Sequence, residues 1–196
     1  MKNINIKIVF ICFCFLGYSQ NKLPNDWHLE QLEGSPKSFT EYSNFTTQNA
    51  KFKTVFTYNK EGYLLSKEDY NDYYVDEDSL GLTERTTYTY PARGVKIGVI
   101  RSVKNDKNIG TSSYKMIAPD TIKVQLNKND NRTEMTFLLD NKRRIRFIDG
   151  YIYSIKLDKE LYKYSTEMIY DNNKVTKITV RDGNSGSKGD TVDVVN

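Results

Sequence analysis

The sequence predicts an all-β protein: an antiparallel meander of about ten strands, built from hairpin repeats and forming a single curved sheet or an open half-barrel. Apolar and polar residues alternate with period two from about Ser38 onward, turn residues interrupt the alternation at short intervals, and sustained helical periodicity is hard to find. Only 38% of the residues are hydrophobic, and 15 are tyrosines. This composition favours a sheet with one solvated face over a thick two-sided core.

Successive hairpins account for most of the chain. The clearest one has its turn at 59–62. A second has its turn at 91–94, and Val95, Ile97 and Val99 share one face of its return strand. We expect the apolar side chains of these strands to line only one side of the sheet. Further turns are predicted at 127–131, 140–142 and 171–173.

Three regions interrupt the alternation. Residues 69–82 are acidic and tyrosine-rich, which is typical of a long surface loop. The glycine- and serine-rich residues 181–190 predict a mobile tail, after which 191–194 can return as a short edge strand. Residues 26–32 allow one helical turn, capped by Asp26. The predicted divisions are a signal peptide (1–19), a lead-in segment (20–34), the β domain (35–181) and a flexible tail (182–196).

The amino terminus has the three parts of a secretory signal peptide. A cationic start precedes the apolar run 8–16, and Gly17 and Ser19 are the small residues that a cleavage site requires. The run is far shorter than the roughly 20 residues needed to span a bilayer. We therefore expect cleavage between Ser19 and Gln20, and a mature protein in the periplasm or outside the cell, without a transmembrane segment.

Composition excludes several kinds of chemistry from this mature chain. Cys12 and Cys14 both lie in the leader, and neither is preceded by the small residue of a lipoprotein signal, so no lipid anchor, disulfide or thiolate site is expected. Loss of Lys2 and Lys7 leaves a formal net charge of +2, which does not suggest a nucleic-acid partner. His28 is the only histidine, so we expect a surface or packing role, with no zinc site and no cofactor.

The acidic loop has two interpretations. Its carboxylates are the kind of oxygen ligand that calcium prefers. Their spacing does not match the EF-hand pattern, which favours the alternative of a solvated loop without a metal. The candidate calcium ligands are Asp69, Asp72, Asp76, Glu77 and Asp78.

Tyrosines recur in pairs two residues apart, which places both rings on one face of a strand. Cross-strand aromatic contacts worth about 0.2 to 1 kcal/mol each are a sufficient structural reason for such pairs. The alternative is an exposed stacking platform for a glycan or a peptide. The pairs are Tyr88 with Tyr90, Tyr151 with Tyr153, and Tyr162 with Tyr164.

A recurring unit combines an extended Thr-x-Tyr or similar segment, a turn with asparagine, aspartate or glycine, and an aliphatic return strand. It appears at 57–64, 88–95 and 168–175 and resembles the tyrosine-aspartate repeats of the RHS/YD type. The opening at 32–42 also resembles the start of small exported bacterial proteins that carry such repeats. The chain is too short to form the shell that large RHS proteins wrap around a toxin, so that role is not carried over.

Three functions are consistent with these features. The first is a non-enzymatic binding or structural module of the bacterial envelope, which recruits a protein, peptide or glycan at an exposed sheet face or edge strand. The second is a periplasmic carrier that holds an apolar ligand on the concave face of a curved sheet. The third is a glycan-acting hydrolase, which requires two carboxylates facing each other across a cleft. The sequence identifies no catalytic residue.

Overall fold

The computed structural model confirms the all-β meander, in which strands adjacent in the sheet are consecutive in the chain. The structure describes residues 22–30, 32–45, 50–71, 80–171, 174–182 and 190–193. One short helix, α1 (Asp26–Leu29), precedes the antiparallel sheet. The strands of the described residues are β1 (Ser38–Phe45), β2 (Ala50–Tyr58), β3 (Leu64–Asn71), β4 (Gly81–Ala92), β5 (Val95–Ser102), β6 (Lys107–Ala118), β7 (Thr121–Lys128), β8 (Asn131–Leu139), β9 (Ile145–Ser154), β10 (Lys159–Asp171), β11 (Lys174–Asp182) and β12 (Asp190–Asp193).

Some strands extend beyond the segments that the alternation indicated. β3 continues through Asn71 and β4 begins at Gly81, so both ends of the predicted loop 69–82 belong to strands. Residues 72–79 of that loop lie outside the described residues, as do the predicted signal peptide and the glycine-rich segment 183–189. β12 pairs with β11 where the sequence allowed a short edge strand.

Tight turns connect the strands because residues that tolerate positive φ lie where the chain reverses. Gly62 and Gly94 have φ angles of 82° and 76° in the turns after β2 and β4. Asn129, in the turn after β7, has a φ of 52°. Glycine has no Cβ to clash in this region, and asparagine enters it more readily than most side chains. The chain therefore reverses inside the turns predicted at 59–62 and 91–94.

The sheet is strongly curved. Lys128 Nζ on β7 lies 2.6 Å from Glu84 Oε2 on β4, although β5 and β6 separate these strands. In a flat sheet, strands three positions apart would be about 14 Å apart, and their side chains would project in parallel. The sheet must therefore curl until the two side chains meet. We call the side on which they meet the concave face and the opposite side the convex face. β1 and β12 do not pair with each other in the described part of the chain, so the curled sheet is open.

The core lies on the concave face, but β5 places different residues there than the sequence indicated. Lys96 and Ile100 are buried on this face, whereas Val95, Ile97 and Val99 are half-buried on the convex face. The expectation that apolar side chains line only one side is therefore wrong for β5, because an ion pair described below holds Lys96 inward. The central cluster consists of Leu23, Met116, Ile122, Val124 and Leu139.

Residues 22–30, which we call the amino-terminal segment, pack against one end of the concave face. The N-cap of α1 is Asn25, whose side chain accepts a hydrogen bond of 2.9 Å from the His28 amide. The predicted cap, Asp26, is instead buried and turned towards the sheet. Trp27 donates its indole N–H to the Pro36 carbonyl at 3.0 Å. Within the described residues, no helix is both long and apolar enough to cross a membrane.

Candidate functional site

A cavity of about 440 Å³ lies between the amino-terminal segment and the concave face. Every strand from β2 to β9 contributes at least one side chain to it, because the curl directs these side chains towards a common centre. Most of the exposed wall is apolar. The main apolar lining residues are Leu29, Phe56, Ile100, Ile122, Phe137 and Ile145.

A buried ion pair joins the amino-terminal segment to the sheet at one side of the cavity. Lys96 and Asp26 are 6% and 3% exposed, and the lysine ammonium donates directly to the Asp26 carboxylate. The ammonium also lies 4.0 Å from the ring centre of Tyr114 and 5.3 Å from that of Tyr88. These rings present their electron-rich faces to the cation. The charges are thus compensated within the protein.

Asp26 is also a hydrogen-bond acceptor for two strands. Its Oδ2 atom accepts from the Leu64 amide and from the Tyr90 hydroxyl, both at 2.8 Å. Burial raises the pKa of Tyr90 above its usual range, and the Asp26 charge acts in the same direction. Burial likewise raises the pKa of Tyr88. Both hydroxyls therefore stay protonated, and the Tyr90 hydroxyl is already engaged with Asp26.

Two more ion pairs lie elsewhere in the cavity wall. Lys67 Nζ is 3.0 Å from Asp69 Oδ1, and Lys128 Nζ is 2.6 Å from Glu84 Oε2. Their side chains are between 25% and 36% exposed, so this part of the wall is open to solvent. All three cavity-lining lysines in the described part of the chain are therefore paired with carboxylates.

Glu30 is the remaining charged residue in the described lining. The residue as a whole is exposed, but its carboxylate accepts a hydrogen bond from the hydroxyl of buried Tyr58. Burial of the carboxyl group raises the pKa of Glu30, and the charge of Asp26 adds to that effect. The fourth carboxylate of the cavity therefore has a reduced tendency to carry charge.

One buried hydroxyl of the wall has no hydrogen-bond partner. Ser112, on β6, is 5% exposed, and its Oγ atom is unpaired. It lies across from Gly98 on β5, and a Cβ at Gly98 would come within 2.4 Å of this Oγ and 2.8 Å of the Tyr88 ring. The missing side chain of Gly98 makes room for both groups. Buried hydroxyls are nearly always hydrogen-bonded, so an unpaired one in a cavity wall suggests a ligand.

The three predicted tyrosine pairs divide between the two faces. Tyr88 and Tyr90 line the cavity. The rings of Tyr162 and Tyr164 stack with their centres 5.9 Å apart. This pair also lies on the concave face, because Tyr164 is opposite Gly150 in the sheet and Gly150 is opposite Met135, which packs against the core. The third pair, Tyr151 and Tyr153, lies on the convex face, because both residues are an odd number of positions from Gly150 on β9. Arg132 packs over the Tyr153 ring there.

The predicted calcium ligands are only partly within the described residues. Asp69 lies in β3, where it pairs with Lys67 and accepts a hydrogen bond of 2.9 Å from Thr54. The other four, Asp72, Asp76, Glu77 and Asp78, fall in 72–79. The described residues contain no group of three or more histidine, cysteine or acidic residues arranged to bind a metal ion.

The carboxylates of the described cavity lining are mostly engaged with lysines. Glycoside hydrolysis uses two carboxyl groups that are free to act as acid and as base or nucleophile. Three of the four carboxylates in the described lining are held in ion pairs with lysines. His28 lies outside this lining, where its Nε2 atom is 2.7 Å from the Lys142 carbonyl oxygen, which accepts its hydrogen bond. It therefore fastens the amino-terminal segment to the turn after β8.

Comparison with known proteins gives no matching family model, no similar curated protein and no similar solved structure. The resemblance to RHS/YD repeats therefore stays a prediction. The candidate site rests on geometry alone. The sequence pattern identified Tyr88 and Tyr90. It did not identify Lys96, whose partner Asp26 is 70 residues away, or Ser112, which has the same residue type as its neighbour Ser113.

Proposed function

We propose that the protein binds an apolar ligand, such as an acyl chain, in the cavity on the concave face of its curved sheet. The observation that carries this proposal is the cavity of about 440 Å³ with a largely apolar wall. Small-molecule sites are typically concave and mainly apolar, with volumes of roughly 300 to 1,000 Å³ and a few polar groups that orient the ligand. With the predicted export signal, this function is that of a carrier in the periplasm or outside the cell.

Two features of the cavity support ligand binding over a purely structural role. Apolar side chains that face an open cavity lose the packing contacts that a filled core would provide, and an apolar ligand restores them. The amino-terminal segment covers one end of the cavity through hydrogen bonds and a buried ion pair, which fixes the shape of the site before a ligand arrives. A preformed site binds with a smaller loss of conformational entropy.

Direct extraction and dye binding test the proposal. Protein purified from the exporting host is extracted with organic solvent, and the extract is analysed by mass spectrometry. We expect one class of apolar compound in near-stoichiometric amount. Stripped protein should bind the uncharged dye Nile red with increased fluorescence. A clean extract would count against the proposal, and failure of the stripped protein to bind the dye would contradict it.

A matched pair of variants on β7 locates the bound dye. Leu126 faces the cavity, whereas its neighbour Gln125 is exposed on the convex face. Leu126→Trp should fill the cavity and weaken Nile red binding at least about tenfold, a loss of 1.4 kcal/mol or more. Gln125→Trp adds the same ring outside and should bind as the wild type does. Equal binding by both variants would place the dye elsewhere.

A second candidate function is recruitment of an extended peptide by strand addition. β1 is an edge strand, and its Phe39 and Tyr42 are 40% and 69% exposed. An edge strand offers unpaired backbone groups to a partner strand, and nearby side chains supply specificity. Replacing Tyr42 with lysine should abolish capture of such a peptide without affecting Nile red binding. A joint effect on both would argue against separate sites.

A further inference from the structure

We infer that the ligand of this cavity is an uncharged amphiphile, in which an apolar chain ends in a hydroxyl or ester group that hydrogen-bonds to Ser112. The inference rests on the proposed function and adds the chemical class of the ligand. Two independent observations lead to it: the pairing of the charges in the described cavity wall, and the buried hydroxyl of Ser112, which has no hydrogen-bond partner.

The charge distribution disfavours an anionic head group. Lys67, Lys96 and Lys128 are the cations of the described lining, and each already donates to a carboxylate. The described lining already has four carboxylates for three lysines, so a fatty-acid carboxylate would add a further negative charge beside a lysine that already has a partner, and the two carboxylates would repel each other. Burying an unpaired charge in a largely apolar cavity is strongly unfavourable. Every lysine of the described lining therefore already has a carboxylate partner, which disfavours a ligand with an acidic head group.

A cationic head group has little to bind either. Asp26, Asp69 and Glu84 are occupied by lysines, so Glu30 is the one carboxylate of the described lining outside an ion pair. Its oxygen already accepts the Tyr58 hydroxyl, and burial raises the pKa of Glu30 although that hydrogen bond acts in the opposite direction. An uncharged head group avoids both electrostatic costs.

Ser112 gives an uncharged head group a specific partner. Its hydroxyl is on the concave face, in the same row as Leu126 on β7 and Gly98 on β5. It is buried, unpaired and part of the cavity lining, where the missing Cβ of Gly98 accommodates its Oγ atom beside the Tyr88 ring. A hydroxyl both donates and accepts, so it can bind either an alcohol or an ester carbonyl. The adjacent Leu126 and Ile100 supply apolar surface for the chain.

Displacement of Nile red from the full mature protein tests the ligand class. The competitors are dodecanol, dodecanoate and dodecylammonium, which share one chain length and differ in head-group charge. We expect dodecanol to displace the dye at a concentration at least about tenfold lower than either ion. If either ion competes as well as dodecanol does, the inference is wrong while the proposed function stands. If the dye does not bind at all, the proposed function itself fails.

A second pair of variants tests the role of Ser112. Ser113 is the next residue on β6 and lines the convex face. Ser112→Ala should weaken dodecanol binding about three- to tenfold, the effect of one hydrogen bond, and leave dodecane binding unchanged. Ser113→Ala should bind both compounds as the wild type does. Equal dodecanol affinity in the two variants, or an equal loss of dodecane affinity in Ser112→Ala, would overturn the assignment of Ser112 as head-group partner.

Discussion

At the scale of single residues, the most consequential feature is the buried Asp26–Lys96 pair. Moving two charges out of water is costly, and their attraction compensates only when further hydrogen bonds satisfy the remaining atoms. The two partners differ in this respect. Asp26 also accepts from Leu64 and Tyr90, whereas the additional described contacts of the Lys96 ammonium are with two aromatic rings.

This difference predicts unequal effects of breaking the pair from either side. Asp26→Ala leaves the buried ammonium and the Leu64 amide without their acceptor, and should cost about 3 to 5 kcal/mol of unfolding free energy. Lys96→Met keeps two donors on Asp26 and should cost at least about 1 kcal/mol less. Urea denaturation of both variants measures the difference.

The double variant serves as the control for this comparison. Replacing Lys96 with methionine removes the buried charge that Asp26→Ala leaves uncompensated, so the double variant should be no less stable than Asp26→Ala alone. A Lys96→Met variant as unstable as Asp26→Ala would instead mean that the hydrogen bonds from Leu64 and Tyr90 to Asp26 add no stability beyond the ion pair.

At the scale of elements, the amino-terminal segment depends on the turn between β2 and β3. The Gly62 carbonyl accepts the Trp27 amide at 3.2 Å, and a Cβ at Gly62 would come within 2.4 Å of the indole ring. Gly62 also has a φ of 82°, which residues other than glycine rarely adopt. The absence of a side chain at Gly62 therefore allows both the turn and the close contact with Trp27.

Gly62→Ala should accordingly displace the amino-terminal segment. Trp27 is the only tryptophan, so its fluorescence reports on this contact, and we expect emission shifted to longer wavelength. Gly34→Ala is the matched control, because Gly34 has a similar φ of 76° but no atom within 4 Å of its Cβ position. It shares the backbone strain and lacks the clash. The same emission shift in both variants would mean that strain, and not contact with Trp27, is responsible.

The sequence predicts the strands well because their alternation and turns are local features. Which face is buried is less local. On β5, the apolar Val95, Ile97 and Val99 suggested one face, but Asp26 holds Lys96 on the other, 70 residues away in the chain. Aspartate is a common N-cap residue, so Asp26 was the predicted cap of α1. In the structure Asn25 is the N-cap, and Asp26 forms the ion pair with Lys96. At these positions the burial of a side chain depends on a partner from a distant part of the chain, and a local sequence pattern does not contain that information.

At the scale of the whole molecule, the cavity results from curvature, which no single segment encodes. Sheet twist and contacts such as that of Lys128 with Glu84 bring β4 and β7 together although two strands separate them. The sequence therefore predicts a curved sheet as a class, but not which of its side chains converge. Tyr88 and Tyr90 could be named from their spacing, while Ser112 has no sequence signal that distinguishes it from Ser113.

The meander also predicts an uneven distribution of stability. Each strand pairs only with its neighbours in sequence, so an edge strand can open without breaking pairs elsewhere in the sheet. The sheet residues of the central cluster, such as Met116, Ile122 and Leu139, lie on β6, β7 and β8. Amide hydrogen exchange should therefore be slowest in these three strands and become faster towards β1 and β12. Exchange measured by mass spectrometry at near-neutral pH resolves this gradient. Uniform protection from β1 to β11 would instead mean that the curled sheet opens as one cooperative unit, held together across the concave face as strongly as along its strands.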